Sequence, residues 1–228
     1  MGRPLLTRRR GSFWGRARGV DALGPPFDDP ITGAATGVGF RARSHERRWR
    51  RRRATLERHR DDVVEVCAQD DHPFAVPSAW VLALLWDELA RRDITEAATD
   101  ALLHWLGRDP SVGIFQITGA TARDVVAFAR WGGPHRQRSP AELRERLLEP
   151  RFAARVATAR VQQIIVHWQQ AGFDPQRSGG LGPHRTSAIA LVGTLYSQGL
   201  GQPKKNPRAN ARGLQVASFA ARLSDDVR

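Results

Sequence analysis

Apolar residues recur along this chain at the three- and four-residue spacing of helices and almost nowhere alternate as they would on a half-buried strand, so the pattern predicts a mainly α protein. The strongest element is Ser78 to Arg92, SAWVLALLWDELARR, which is apolar almost all the way round and therefore reads as a buried helix. Ser78, following Pro77, is placed to cap its start, and Arg91 and Arg92 meet the negative end of its dipole. At about 100° per residue, Glu88 falls between Val81, Leu84 and Leu85, whereas Asp87 is turned about 100° away from it. A carboxylate inside an apolar stripe must find donors or keep its proton with a raised pKa. A carboxyl still protonated near neutral pH is a general acid.

The same periodicity predicts a helix from about Ser44 to Gln69, with Trp49, Leu56, Val63, Val66 and Cys67 forming one apolar stripe on an Arg-covered surface. Thr95 is expected to cap a helix running to Leu106. Arg108 to Thr118, RDPSVGIFQIT, carries Pro, Ser and Gly and reads as a loop or short extended piece. Helices are then expected over Gly119 to Trp131 and over Pro140 to Leu148, the latter started by a capping box of Ser139 and Glu142. The longest pattern, Phe152 to Ala171, sets Phe152, Val156, Val161, Ile164, Ile165 and Trp168 along one face. A small apolar helix, SAIALVGTLYSQG, ends near Tyr196, and a last helix covers Ala209 to Leu223, with Asn206 and Asn210 serving the preceding turn and the N-cap. The chain divides into a disordered basic extension at 1–43, a basic amphipathic helix at 44–72 and a helical domain at 73–228.

Composition narrows the chemistry. With 41% hydrophobic residues, 228 residues suffice for a substantial core. The single Cys67 excludes an internal disulfide and a multi-cysteine zinc site, and the histidines show no HExxH spacing, so no metal is expected. Cys67 lies near His72, but its place on an apolar stripe reads as core packing. The GGLGP stretch lacks the strand and the Lys of a phosphate-binding loop and reads as a connection; no cofactor is expected.

The net charge of +13 is uneven: residues 1–60 hold 16 Arg, no Lys and 5 acids, whereas the remainder is nearly neutral. Such an arm attracts polyanions non-specifically, whether nucleic acid, anionic lipid or an acidic wall polymer. The start TRRRGSFWG superficially resembles a twin-arginine export signal, yet no apolar run long enough for a signal peptide follows and no membrane span is expected.

Three stretches, in order, resemble the lysozyme-like superfamily, in particular lytic transglycosylases and goose-type lysozymes. PSAWVLALLWDEL is similar to the family helix that ends in its catalytic glutamate. SVGIFQITGATA looks like the family's Ser-x-Gly loop with its Gln, followed by the Thr-Ala that opens a helix. ALVGTLYSQG resembles a later helix ending in a Tyr-Asn-Ala-Gly motif, with Ser197 and Gln198 replacing Asn and Ala; Leu89 and Phe115 also depart from the usual Ser and Met.

The resemblance covers about Phe74 to Phe219 and implies a lysozyme-like helical fold acting on peptidoglycan glycan strands. Glu88 would be the general acid, Ser111 and Gly113 would shape the loop under the scissile sugar, Gln116 would sit in the cleft wall, and Tyr196 would face Glu88. No motif fixes a second carboxylate; Asp100 and Asp109 are candidates, although Asp100 reads as an exposed helix residue and Asp109 as a turn residue before Pro110. The implied product is the 1,6-anhydro sugar of a transglycosylase, with muramidase hydrolysis as the variant. Two other classes fit part of the sequence: a lysozyme-like module that binds glycan or a partner without cleaving it, and a nucleic-acid-binding protein using the Arg-rich arm. The implied substrate lies in the cell wall, which leaves the route of export open.

Overall fold

The computed structural model describes residues 40–69, 75–91, 109–131, 138–172, 188–200 and 209–224. The extension expected to be disordered, the helix expected over Thr95 to Leu106 with Asp100, His72, and the GGLGP stretch lie outside the described residues.

Seven helices are present among these: α1 Phe40–Ala68, α2 Ser78–Arg91, α3 Gly119–Phe128, α4 Pro140–Arg146, α5 Pro150–Gln170, α6 Ala188–Gln198 and α7 Ala211–Ser224. The described residues are mainly α, as the periodicity predicts; their one extended feature is an isolated antiparallel bridge between Val112 and Ile117.

Burial on all sides sets α2 apart. Ala79 and every residue from Val81 to Ala90 are buried. The surrounding elements are α1, α5 and α7. Removing that much apolar surface from water stabilises the fold while drawing the acids of the last turn indoors. Asp87 is therefore not turned outward, as the 100° step suggests, but is 0% exposed.

Helix α5 is buried more widely than its one-faced pattern predicts. Besides the expected apolar residues, it buries Ala153, Ala154, Ala157 and Ala159, together with the polar Thr158, Arg160 and Gln162. The alanines let neighbours approach closely, and α5 meets α1, α2, α3 and α6. Thr158 satisfies its hydroxyl on the Ala154 carbonyl at 3.0 Å and lies 3.6 Å from Cys67 Sγ, which packs in the core.

The short helices start as their sequence dictates. Ser139 and Glu142 form the reciprocal capping box of α4, with Pro140 at the first turn. For α7, the Asn210 side chain accepts from the Gly213 N–H at 2.8 Å, while the Asn210 N–H donates to Thr194 Oγ1 of α6 at 3.0 Å. Gly213 is required at this crossing, because a Cβ would lie 2.0 Å from the Ala190 carbonyl oxygen and 2.1 Å from Thr194 Oγ1. The start of α7 is thereby locked against α6.

Candidate functional site

At the C-terminal end of α2, Asp87 and Glu88 meet the first turn of α7. One guanidinium spans both: Arg212 Nε donates to Asp87 Oδ2 at 2.6 Å, and Arg212 Nη2 donates to Glu88 Oε1. Arg91, one turn along α2, donates from Nε to both Asp87 oxygens at 3.1 and 3.2 Å, and its Nη2 reaches Gln215 Oε1 of α7 at 3.4 Å. Asp87 is thus held by two arginines. Glu88 is 9% exposed.

Burial is the main influence on the Glu88 proton, pushing the carboxyl up to about 7. Arg212 pulls against it, Asp87 adds to it by like-charge repulsion, and Arg91 opposes it weakly. For Arg212 itself burial disfavours the charge, yet Glu88 and Asp87 outweigh this and hold the guanidinium above its ordinary range. A carboxyl poised near neutrality both gives and takes a proton readily.

Residues 111–117 form a tight turn closed by the Val112 and Ile117 backbones, which exchange hydrogen bonds of 3.0 and 3.2 Å. Gly113 occupies it with φ +73°, and a Cβ there would stand 2.2 Å from the Leu147 carbonyl oxygen at the end of α4. Gln116 takes φ +49°, unusual for a residue with a side chain, and its own amide offsets the cost. Gln116 Nε2 donates to the Gly113 carbonyl at 3.0 Å, and Gln116 Oε1 accepts from Ser111 Oγ at 3.0 Å. Ser111, Gly113 and Gln116 are brought together as one unit, with both ends of the glutamine amide engaged inside the loop.

The loop feeds directly into α3. Thr118 caps it by accepting from the Thr121 N–H at 3.1 Å, and Asp109 accepts from the Gly119 and Ala120 N–H groups at 3.1 and 2.7 Å. Asp109 is more than the turn residue that its place before Pro110 suggests: its carboxylate is committed to a helix start.

Tyr196, near the end of α6, donates its hydroxyl to the Phe115 carbonyl at 3.4 Å, so α6 touches the loop through the backbone. Burial, and next the Glu88 charge, push its phenol above the usual range, with Arg160 and Arg212 acting the other way. Tyr196 and Glu88 therefore share one electrostatic environment. Arg160 of α5 also acts on Tyr196: burial lowers its own pKa, against Tyr196 and Asp124, and its Nη1 donates to Gln163 Oε1 at 2.5 Å.

Sequence reasoning missed Arg212 and the buried state of Asp87. One signal for Arg212 exists in hindsight: a cation in the first turn of a helix opposes the helix dipole and calls for a nearby anion. Among the described residues no group of three or more His, Cys, Asp or Glu side chains is placed to hold a metal ion, and no helix is long and apolar enough to cross a membrane. Comparisons with protein families, with curated proteins and with solved structures find no match.

Proposed function

We propose that this protein cleaves the β-1,4 bond between N-acetylmuramic acid and N-acetylglucosamine in peptidoglycan, as a lytic transglycosylase with Glu88 as both acid and base. The observation that carries this reading is the buried Glu88 carboxyl, poised at about 7 in the same electrostatic environment as Tyr196, whose hydroxyl reaches the Ser111–Gln116 loop. The order of the three motifs supports it.

Protonated Glu88 gives its proton to the glycosidic oxygen as the bond from that oxygen to the muramyl anomeric carbon breaks, so that N-acetylglucosamine leaves and positive charge develops on the muramyl ring. The 6-hydroxyl of the same ring then attacks the anomeric carbon, and Glu88 takes back the hydroxyl proton, which regenerates the acid and leaves a 1,6-anhydro product. No water is consumed. Among the described residues, the commitment of Asp109 to α3 and of Asp87 to two arginines favours this one-carboxylate route over a hydrolysis assisted by either of them. Ser111, Gly113 and Gln116 shape the loop beneath the sugar in this reading, and the Arg-rich α1 adds non-specific attraction to anionic polymer.

The deciding experiment is digestion of purified peptidoglycan by the wild-type protein and by Glu88→Gln, with products resolved by mass spectrometry. Anhydro-muropeptides from the wild type alone are expected. Reducing-end products carrying added water would make it a muramidase. Intact glycan that is nevertheless retained by the protein would replace the enzyme with a binding module.

A further inference from the structure

Arg212 of α7 bonds both acids at the end of α2, and nothing in a general acid mechanism at Glu88 requires it. Its placement is nonetheless supported from three sides. Asn210, Thr194 and Gly213 lock the turn that carries it. Asp87 holds Nε at 2.6 Å, leaving Nη2 for Glu88. Arg91, bound to both oxygens of the same Asp87 and to Gln215, holds the Asp87 carboxylate in place.

We propose that Arg212, aimed by Asp87, is a positioning residue that holds the Glu88 carboxylate in one orientation and sets the balance between its protonated and ionised forms. For the reaction this inference rests on Glu88 being the acid and base proposed above, although the coupling itself does not. Among the described residues, the charged groups that act on Glu88 are Asp87 and Arg91 from α2 and Arg212 from α7, and Glu88 in turn acts on Tyr196 of α6, which also feels Arg160 of α5. Asp87 and Arg212 act on Glu88 in opposite senses. Burial alone would make Glu88 a weaker acid, slow to give its proton to the glycosidic oxygen; the guanidinium offsets that burial and keeps both forms accessible.

The test is a direct titration of the Glu88 carboxyl in the full chain, by carbon NMR of protein labelled at the glutamate side chains, with the signal assigned through Glu88→Gln. In Arg212→Met the midpoint moves up, with roughly a tenfold or larger increase in the protonated fraction relative to the ionised one. Arg212→Lys, which keeps the charge but not the fork, lies between the two. Asp87→Asn, which removes the like charge but keeps an amide oxygen able to accept from Arg212 Nε, moves the midpoint down. Opposite shifts from two neighbours do not arise from general loosening of the fold.

A folded Arg212→Met protein with the wild-type midpoint would overturn the proposal. Should that variant fail to fold, an unmoved midpoint in Arg212→Gln, which also lacks the charge, would do the same. Wild-type cleavage of peptidoglycan with an unmoved midpoint sinks this inference alone. Shifted midpoints in a protein that leaves peptidoglycan intact sink the glycosidase reading and leave the coupling standing.

Discussion

The hydroxyl of Tyr196 donates to the carbonyl oxygen of Phe115 at 3.4 Å, across a separation of 81 residues. That contact ties the end of α6 to the loop before α3, and the same phenol feels the Glu88 charge on α2. Three distant stretches of sequence thereby share one environment.

Tyr196→Phe removes a long, weak hydrogen bond while keeping the ring. Its expected cost in stability is about 1 kcal/mol or less, read by thermal unfolding. If the phenol serves the proposed reaction, turnover of peptidoglycan falls by about tenfold or more with little change in Tm. Equal turnover in the two proteins would confine Tyr196 to packing.

Gly113→Ala is expected to destabilise by about 2 kcal/mol or more. It introduces a side chain at φ +73°, and its Cβ collides with the Leu147 carbonyl, a backbone group unable to swing aside. Urea unfolding of the two proteins measures this. A change within a few tenths of a kcal/mol would mean that α4 yields easily and that the loop is not braced by it.

Glu88 gives stability a definite pH dependence. Its carboxyl moves from 4.5 to about 7 on folding, so the folded state binds the proton more tightly than the unfolded chain. The associated stability is fully present below the unfolded value and is lost as pH rises through about 7. Glu88→Gln does not ionise and escapes this loss: relative to wild type it gains roughly 3 kcal/mol between pH 4 and pH 8. Parallel stability profiles for the two proteins would contradict the burial argument. The proposed acid step weakens over the same range, so cleavage declines above about pH 7.

Asn210→Ala should cost about 1 kcal/mol through loss of the cap on α7. Asn210→Asp, which also accepts from the Gly213 N–H, should recover most of it. Thermal unfolding of both variants separates the cap from any effect of side-chain size, and equal losses in the two would exclude capping as the cause.

The sequence by itself determined the helical class and most of the element starts, because these rest on local chemistry. The apolar repeat marked α1, α2, α5, α6 and α7; Ser139 and Glu142 announced α4, and Asn210 announced α7. Glu88 also stood out locally, as a carboxylate within an apolar stripe. Tertiary structure decided what surrounds it. Angular spacing on α2 turned Asp87 away from the stripe, but packing of α1, α5 and α7 around that helix left it no outward side. Asp109 read as a turn residue until the start of α3 was brought to its carboxylate. Arg212 lies 124 residues from Glu88, and no periodicity relates them. Their meeting depends on the crossing of α6 and α7 at Gly213, a close approach that becomes visible only when both helices are placed.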